Sequence, residues 1–163
     1  MISLKQIRSK QEIADTTRLA NSIWHEHFTP IIGKQQVDYM LNKFQSAVAI
    51  AEQIRQGYIY FALMLDRRQI GYTCFRIDED ALFLSKLYIQ KEFRGRGFSH
   101  VVLQTAERLA LQHNKSVIRL TCNKNNANSL AVYKKIGFEI TREEKTDIGD
   151  GFFMDDYILE KQR

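Results

Sequence analysis

Apolar and polar positions change their spacing several times along the chain, and each change marks an element. Ile2 to Arg8 alternates, which predicts a first strand. Ser9-Lys10-Gln11-Glu12 follows, a serine with a glutamate three residues later, as at a capped helix start. Ile13, Thr17, Ala20 and Trp24 continue at helical spacing and predict a helix of about four turns, broken by Pro30 and Gly33. Gln35–Phe44 and Ala47–Gln56 read as one or two further helices, stopped by Gly57. Tyr58–Leu65, Ile70–Ile77 and Ala81–Ile89 then read as strands, separated by the polar turns at residues 66–69 and 78–80. Connections this short predict an antiparallel meander.

The period changes again after Ile89. Phe98, Val101, Val102, Thr105, Ala106 and Leu109 form one apolar helical stripe. Ser116–Cys122 reads as a strand and Ala127–Ile136 as a short helix with Gly137 as its C-cap. Phe138–Thr146 and Phe152–Glu160 predict a closing hairpin around Gly149-Asp150-Gly151. A strand–helix–strand step requires a crossover. The order therefore predicts an α/β (α+β) fold in one domain, residues 1–163. Its central sheet is mixed but mostly antiparallel, of about seven strands with helices on both faces.

Composition narrows the class. Of 163 residues, 44% are hydrophobic and 26% charged, which suits a globular core and excludes a disordered chain. The apolar run Tyr58–Leu65 is far shorter than the about 20 residues a membrane span needs. The N-terminal residues lack the pattern of a secretory signal, so the expected location is cytoplasmic. Cys74 and Cys122 each sit within a strand-like segment and read as reduced core thiols. The net charge of +5 is spread out. Its densest patch, Lys91, Arg94 and Arg96 with Lys134 and Lys135 beyond, fits a phosphorylated small molecule as well as a polymer. No helix or aromatic platform reads nucleic acid, and no membrane partner is expected.

The candidate chemistry lies in Arg94-Gly95-Arg96-Gly97-Phe98-Ser99, between a strand end and a helix start. The first N–H groups of a helix have no internal partner and carry the positive end of its dipole. An anion is favoured there. Gly95 and Gly97 let the backbone approach a pyrophosphate, Arg94 and Arg96 add charge, and Ser99 is small. Neither the P-loop nor the dinucleotide spacing is present. His25 and His27 lie about 200° apart on a helix and read as a solvated face rather than a metal site. His100 reads as a surface residue or a neighbour of the phosphate turn. Asp147, Asp150, Asp155 and Asp156 read as a solvated acidic turn, with attraction of a cationic amine as the alternative.

The turn resembles motif A of the GNAT superfamily of N-acetyltransferases, Gln/Arg-x-x-Gly-x-Gly/Ala. Arg94 and Gly97 hold their places, and Ser99 departs only conservatively at the last. Asn126 to Phe138 resembles motif B, with Asn126 seven residues before Tyr133 and Gly137-Phe138 closing the helix. The likeness is close over residues 58–138.

This resemblance implies acetyl-CoA as cosubstrate, its pyrophosphate on the backbone of Arg94, Gly95, Arg96, Gly97, Phe98 and Ser99. The pantetheine arm would run along the preceding strand with Leu87 and Ile89 as main-chain partners. Asn126 would contact the cofactor, and the Ile89 N–H would face the oxyanion. Tyr133 would protonate the leaving sulfur. Many relatives carry a base glutamate on the strand that here reads Ser85-Lys86, so no base is assigned. The implied reaction is acetylation of a primary amine, with a small molecule such as a polyamine as the expected acceptor. A protein lysine or N-terminus, or a non-catalytic coenzyme A-binding module, are the other readings. A homodimer is compatible with the resemblance.

Overall fold

The computed structural model describes all 163 residues and places them around one seven-stranded sheet. The strands are β1 (Ile2–Gln6), β2 (Ile59–Leu65), β3 (Arg68–Ile77), β4 (Leu82–Ile89), β5 (Val117–Asn123), β6 (Glu139–Gly149) and β7 (Phe152–Gln162). The helices are α1 (Lys10–Ile32), α2 (Lys34–Phe44), α3 (Ala47–Arg55), α4 (Ser99–Gln112) and α5 (Ala127–Lys135). Spatial order is β1-β2-β3-β4-β5-β7-β6, and every pair is antiparallel except β4 with β5. The expected strand count, mixed sheet and helix order all appear.

The first helix differs from expectation. It runs for 23 residues rather than four turns, and Pro30 lies inside it. Proline's fixed φ is compatible with a helix, and here it forfeits one bond near the C-terminal end. Gly33 is the true terminator: its φ of +85° turns the chain, and its N–H donates to the Thr29 carbonyl. The start is as expected. Ser9 Oγ accepts from the Glu12 N–H at 3.1 Å, and the Glu12 carboxylate accepts from the Ser9 N–H at 2.9 Å. The closing hairpin is longer than its apolar pattern, because β6 is an exposed edge strand held by its ladder to β7.

Two cores lie on opposite faces of the sheet. On one, Val102, Leu103 and Ala106 of α4 and Leu130 of α5 pack on Phe75, Leu84, Leu120 and Leu159. On the other, Trp24 and Phe28 of α1, Val37 of α2 and Ile50 of α3 pack on Tyr60, Tyr72 and Cys74.

One irregularity decides the shape of the sheet centre. Cys74 pairs with Lys86 and Phe75 with Leu84, so Ser85 is an extra, unpaired residue in β4. Such a bulge bends its strand and reverses the side-chain alternation beyond it. Leu84 and Leu87 therefore both face the α4 side, whereas Lys86 contacts the α2–α3 junction and Tyr88 packs with the α1 core. β5, held straight by seven paired positions with β7, cannot follow the bend. β4 and β5 pair only at Leu82–Ile118 and Phe83–Arg119 and then separate.

Gly71 guards this bend. A Cβ there would lie 2.3 Å from the Tyr88 carbonyl oxygen and 3.1 Å from the Ile89 Cα, both backbone atoms of the bent strand. Gly71→Ala is expected to lower the unfolding free energy by about 1–3 kcal/mol. Urea titration checks this, and an unchanged midpoint would show that β4 can move freely.

Candidate active site

The separation of β4 and β5 leaves a cleft through the sheet, with the β4 edge unpaired beyond Phe83. Gln90 N–H donates to the Ile70 carbonyl, so the main chain of Gln90, and by alternation of Tyr88, addresses β3. Leu87 and Ile89 therefore turn their amides outward, into the cleft. The Ile89 carbonyl already accepts from Arg94 Nε at 2.9 Å, which leaves its N–H as the free group.

The chain leaves β4 through a 3-10 turn at Lys91–Phe93 and enters α4 at Ser99. Gly95 and Gly97 have φ of +75° and +79°, a region that penalises any side chain. No side chain caps α4, and no acidic residue sits in its first turn. The His100 and Val101 N–H groups close short-range bonds to the Gly97 and Phe98 carbonyls, so the free amides at this end are those of the turn just before them, up to Ser99. The two arginines differ from the expectation that both supply charge for a phosphate. The Arg94 guanidinium is engaged by Glu26 at 2.7 Å as well as by the Ile89 carbonyl. Arg96 has no carboxylate partner and lies over the Phe93 ring at 5.3 Å. Beside the turn, His100, Glu107, Lys135 and Lys161 line a groove of about 330 Å³ between α4 and α5.

Motif B borders the same cleft. Asn126 is buried as the N-cap of α5, beside His27 of α1. Tyr133 packs against Phe138 with ring centroids 5.7 Å apart. Burial, with Cys122 alongside, pushes its hydroxyl pKa well above the ordinary tyrosine value, so it holds its proton at neutral pH. Tyr133 packs against the same core cluster as Leu87, Ile89 and Phe98, and Asn126 begins the helix that carries it.

A sequence profile described as an acetyltransferase (GNAT) domain matches residues 28–155. The chain belongs to the GNAT acetyltransferase family. Members are acyltransferases that use acetyl-CoA as cosubstrate. Three solved structures share the fold. The PaiA N-acetyltransferase of Thermoplasma acidophilum, in complex with coenzyme A, has a TM-score of 0.83 at 19% identity, over 100% of this chain and 99% of its own. The ribosomal-protein-S18-alanine N-acetyltransferase of Escherichia coli reaches 0.72 at 12%, over 99% and 94%. YncA of Salmonella typhimurium, a putative acetyltransferase with acetyl-CoA, reaches 0.65 at 18%, over 99% and 94%. No helix of this acetyltransferase is long and apolar enough to cross a membrane.

Three groups of side chains in this GNAT domain have partners or burial that the sequence pattern does not display. Residues 25–27 lie on a partly exposed helix face whose side chains are nonetheless paired: His25 Nε2 with Asp38 at 2.7 Å, and Glu26 with Arg94. Burial and the nearby Arg94 lower the His27 pKa, keeping its ring neutral. Lys86 is only 7% exposed. Its ammonium donates to the Phe44 carbonyl at 3.0 Å, to Gln53 Oε1 at 2.9 Å and to the Tyr60 hydroxyl. It locks β4 to the α2–α3 junction, and burial pulls its pKa down to about 8. The aspartates of the closing hairpin do not form one solvated turn either. Asp155 is ion-paired with Lys124 at 3.1 Å, but Asp156 is buried.

Asp156 escaped the sequence reading because only the register of β7 on β5, opposite Asn123, shows where it lies. Burial first, then Asp155 and Glu144, raises its pKa from 3.8 to about 6. An unfolded chain releases that proton near pH 4, the folded chain near 6. Between these values the folded state holds the extra proton, so stability falls as pH rises, and above them the buried charge is a constant cost. Asp156→Asn is therefore expected to stabilise the fold at pH 7.5 by about 2 kcal/mol, a gain that shrinks toward zero at pH 4. Urea titrations at the two pH values check it. Equal stability at both would place the carboxylate in water.

Proposed function

We propose that residues 1–163 act as one domain that transfers the acetyl group of acetyl-CoA to the primary amine of a small molecule, of which a polyamine is one candidate, by direct attack. The observation that carries this reading is the continuity of three features. The outward amides of Leu87 and Ile89, the uncapped start of α4 and the protonated Tyr133 hydroxyl border one cleft.

Each feature supplies one requirement of acyl transfer. The backbone of Arg94 to Ser99, with Arg96, offers donors and charge to a pyrophosphate. Main-chain groups of Leu87 and the Ile89 N–H offer a pantetheine arm the pairing that β5 withholds. Asn126 borders the same arm. The Ile89 N–H, fixed by the β4 ladder, also suits the oxygen on which charge develops when the thioester is attacked. Tyr133 gives its proton to the departing sulfur, and its raised pKa means that it regains one readily.

The acceptor side is the α1–α3 face. There Tyr88 packs against Trp24 at 5.3 Å, Tyr72 at 5.4 Å and Phe28 at 5.9 Å. Tyr88, the partly exposed member of this cluster, with the Asp156 carboxylate nearby, favours a cation carried on an alkyl chain.

Tyr133→Phe is the test. Turnover of the best acceptor among spermidine, n-butylamine and a peptide with a free alanine N-terminus is expected to fall about 10²–10⁴-fold. The acetyl-CoA dissociation constant, measured by calorimetry, should stay within a factor of about three, because the hydroxyl makes no hydrogen bond that holds the fold. Undiminished turnover would remove Tyr133 from the chemistry. Turnover of the peptide alone would move the acceptor class to protein N-termini.

A further inference from the structure

We propose that Asp156 is the general base of this acetyltransferase: its carboxylate receives the protonated amine and takes the proton that must leave before the nitrogen can attack. The inference rests on the acetyl-transfer reading above and supplies the base that the β4 strand lacks.

Placement argues for it first. Asp156 pairs with Asn123, the last residue of β5, and so stands at the wide end of the cleft. Along β7, Phe152 and Met154 face the α1–α3 core, whereas Tyr157 and Leu159 face the α4 core. Alternation puts Asp156 on the α1–α3 face, with Tyr88. Tyr133 belongs to α5, on the opposite face. Yet both groups adjoin the same two residues, Tyr88 and Cys122, at the gap between the strands. A base on one face and an acid on the other, meeting through the cleft, is what an amine and a thioester arriving from opposite sides require.

Its lack of partners argues second. Asp156 is 8% exposed, yet no protein group donates a hydrogen bond to its carboxylate and no lysine or arginine pairs with it. Lys86, the one other charged side chain among the buried residues, is compensated by three acceptors. A buried, unpaired carboxylate is costly, and an alkylammonium is the complementary partner. The titratable groups around it are Tyr88 of β4, Cys122 of β5, Glu144 of β6, Asp155 of β7 and, across Tyr88, Tyr133 of α5. None of these is a cation. Lys124, just past the end of β5, is taken by Glu143 and Asp155. A carboxyl that titrates near 6 is charged at neutral pH and basic enough to accept a proton from an amine in the site.

The protons balance. The ammonium gives one proton to Asp156, and the freed lone pair forms the new nitrogen–carbon bond. The carbon–sulfur bond breaks as Tyr133 protonates the sulfur. The surplus nitrogen proton restores Tyr133, and Asp156 releases its own to water.

The test compares wild type, Asp156→Asn, Asp156→Glu and His27→Gln on spermidine and n-butylamine across pH 5–9. Wild-type kcat/KM is expected to fall on the acid side with a midpoint near 6. Asp156→Asn should lose about 10²–10⁴-fold and show no such limb, while acetyl-CoA affinity is kept. Asp156→Glu should recover part of the loss. An Asp156→Asn enzyme with near-normal rates and an intact limb overturns the proposal, as does a limb that disappears only in His27→Gln. If wild type acetylates neither amine, the acceptor reading fails, and carbon-13 NMR of the Asp156 carboxyl decides the rest. A midpoint near 6 that drops on adding n-butylammonium supports an ammonium site. A midpoint near that of an ordinary aspartate, about 4, insensitive to the amine, overturns it.

Discussion

The unpaired Ser85 in β4 is the constraint on which the rest of the structure depends. A parallel pair such as β4–β5 would ordinarily close along its whole length, burying its amides. Here the bulge bends one strand while seven paired positions on β7 hold the other. The two part after two residue pairs, and the backbone donors left open become the interior of a site. The same extra residue turns Lys86 and Tyr88 to the face that carries α1 to α3. The shape of the cleft and the chemistry of its walls therefore have one origin.

Several costs follow and are offset locally. Lys86 is buried where its charge would be unfavourable, and two acceptors from α2 and α3 and a third from Tyr60 of β2 offset this. Arg94 follows the open edge and is satisfied by the Ile89 carbonyl and Glu26, tying α1 to the phosphate turn. Asp156 is the exception, a buried carboxylate without compensation. Groups of this kind reduce stability and persist at functional sites, where a ligand supplies the missing partner. In this family, a reaction that consumes ammonium and releases a thiol gives such a group a use.

Much of this was legible from residue order alone. The capping box at Ser9, the strand–helix alternation and the paired glycines before α4 are local patterns with local causes, and they led to the right elements. The two motifs sit at fixed spacings because both must reach one cleft, so they pointed to the family. Long-range effects were not legible. Pro30 looked like a helix breaker, because pattern alone does not show that tertiary packing carries α1 through it. Arg94 read as a free charge, since its partners Glu26 and Ile89 are apart in sequence or belong to the main chain. Asp38 and Arg94, the partners of the partly exposed His25 and Glu26, were hidden for the same reason. Asp156 lay among other aspartates, and only the β5–β7 register sets it apart. The bulge at Ser85 has no signature in a run such as Leu82 to Ile89.

The central claim is that the open edge of β4 is where the cosubstrate pairs. Hydrogen exchange of single backbone amides, with and without saturating acetyl-CoA, tests it most directly. Exchange at Leu87 and Ile89 is expected to be fast in the free protein and strongly slowed when acetyl-CoA is bound. Tyr88 and Gln90, already bonded to β3, should change little. Unaltered exchange at Leu87 and Ile89 under conditions where acetyl-CoA is bound would contradict the account and place the acyl donor elsewhere.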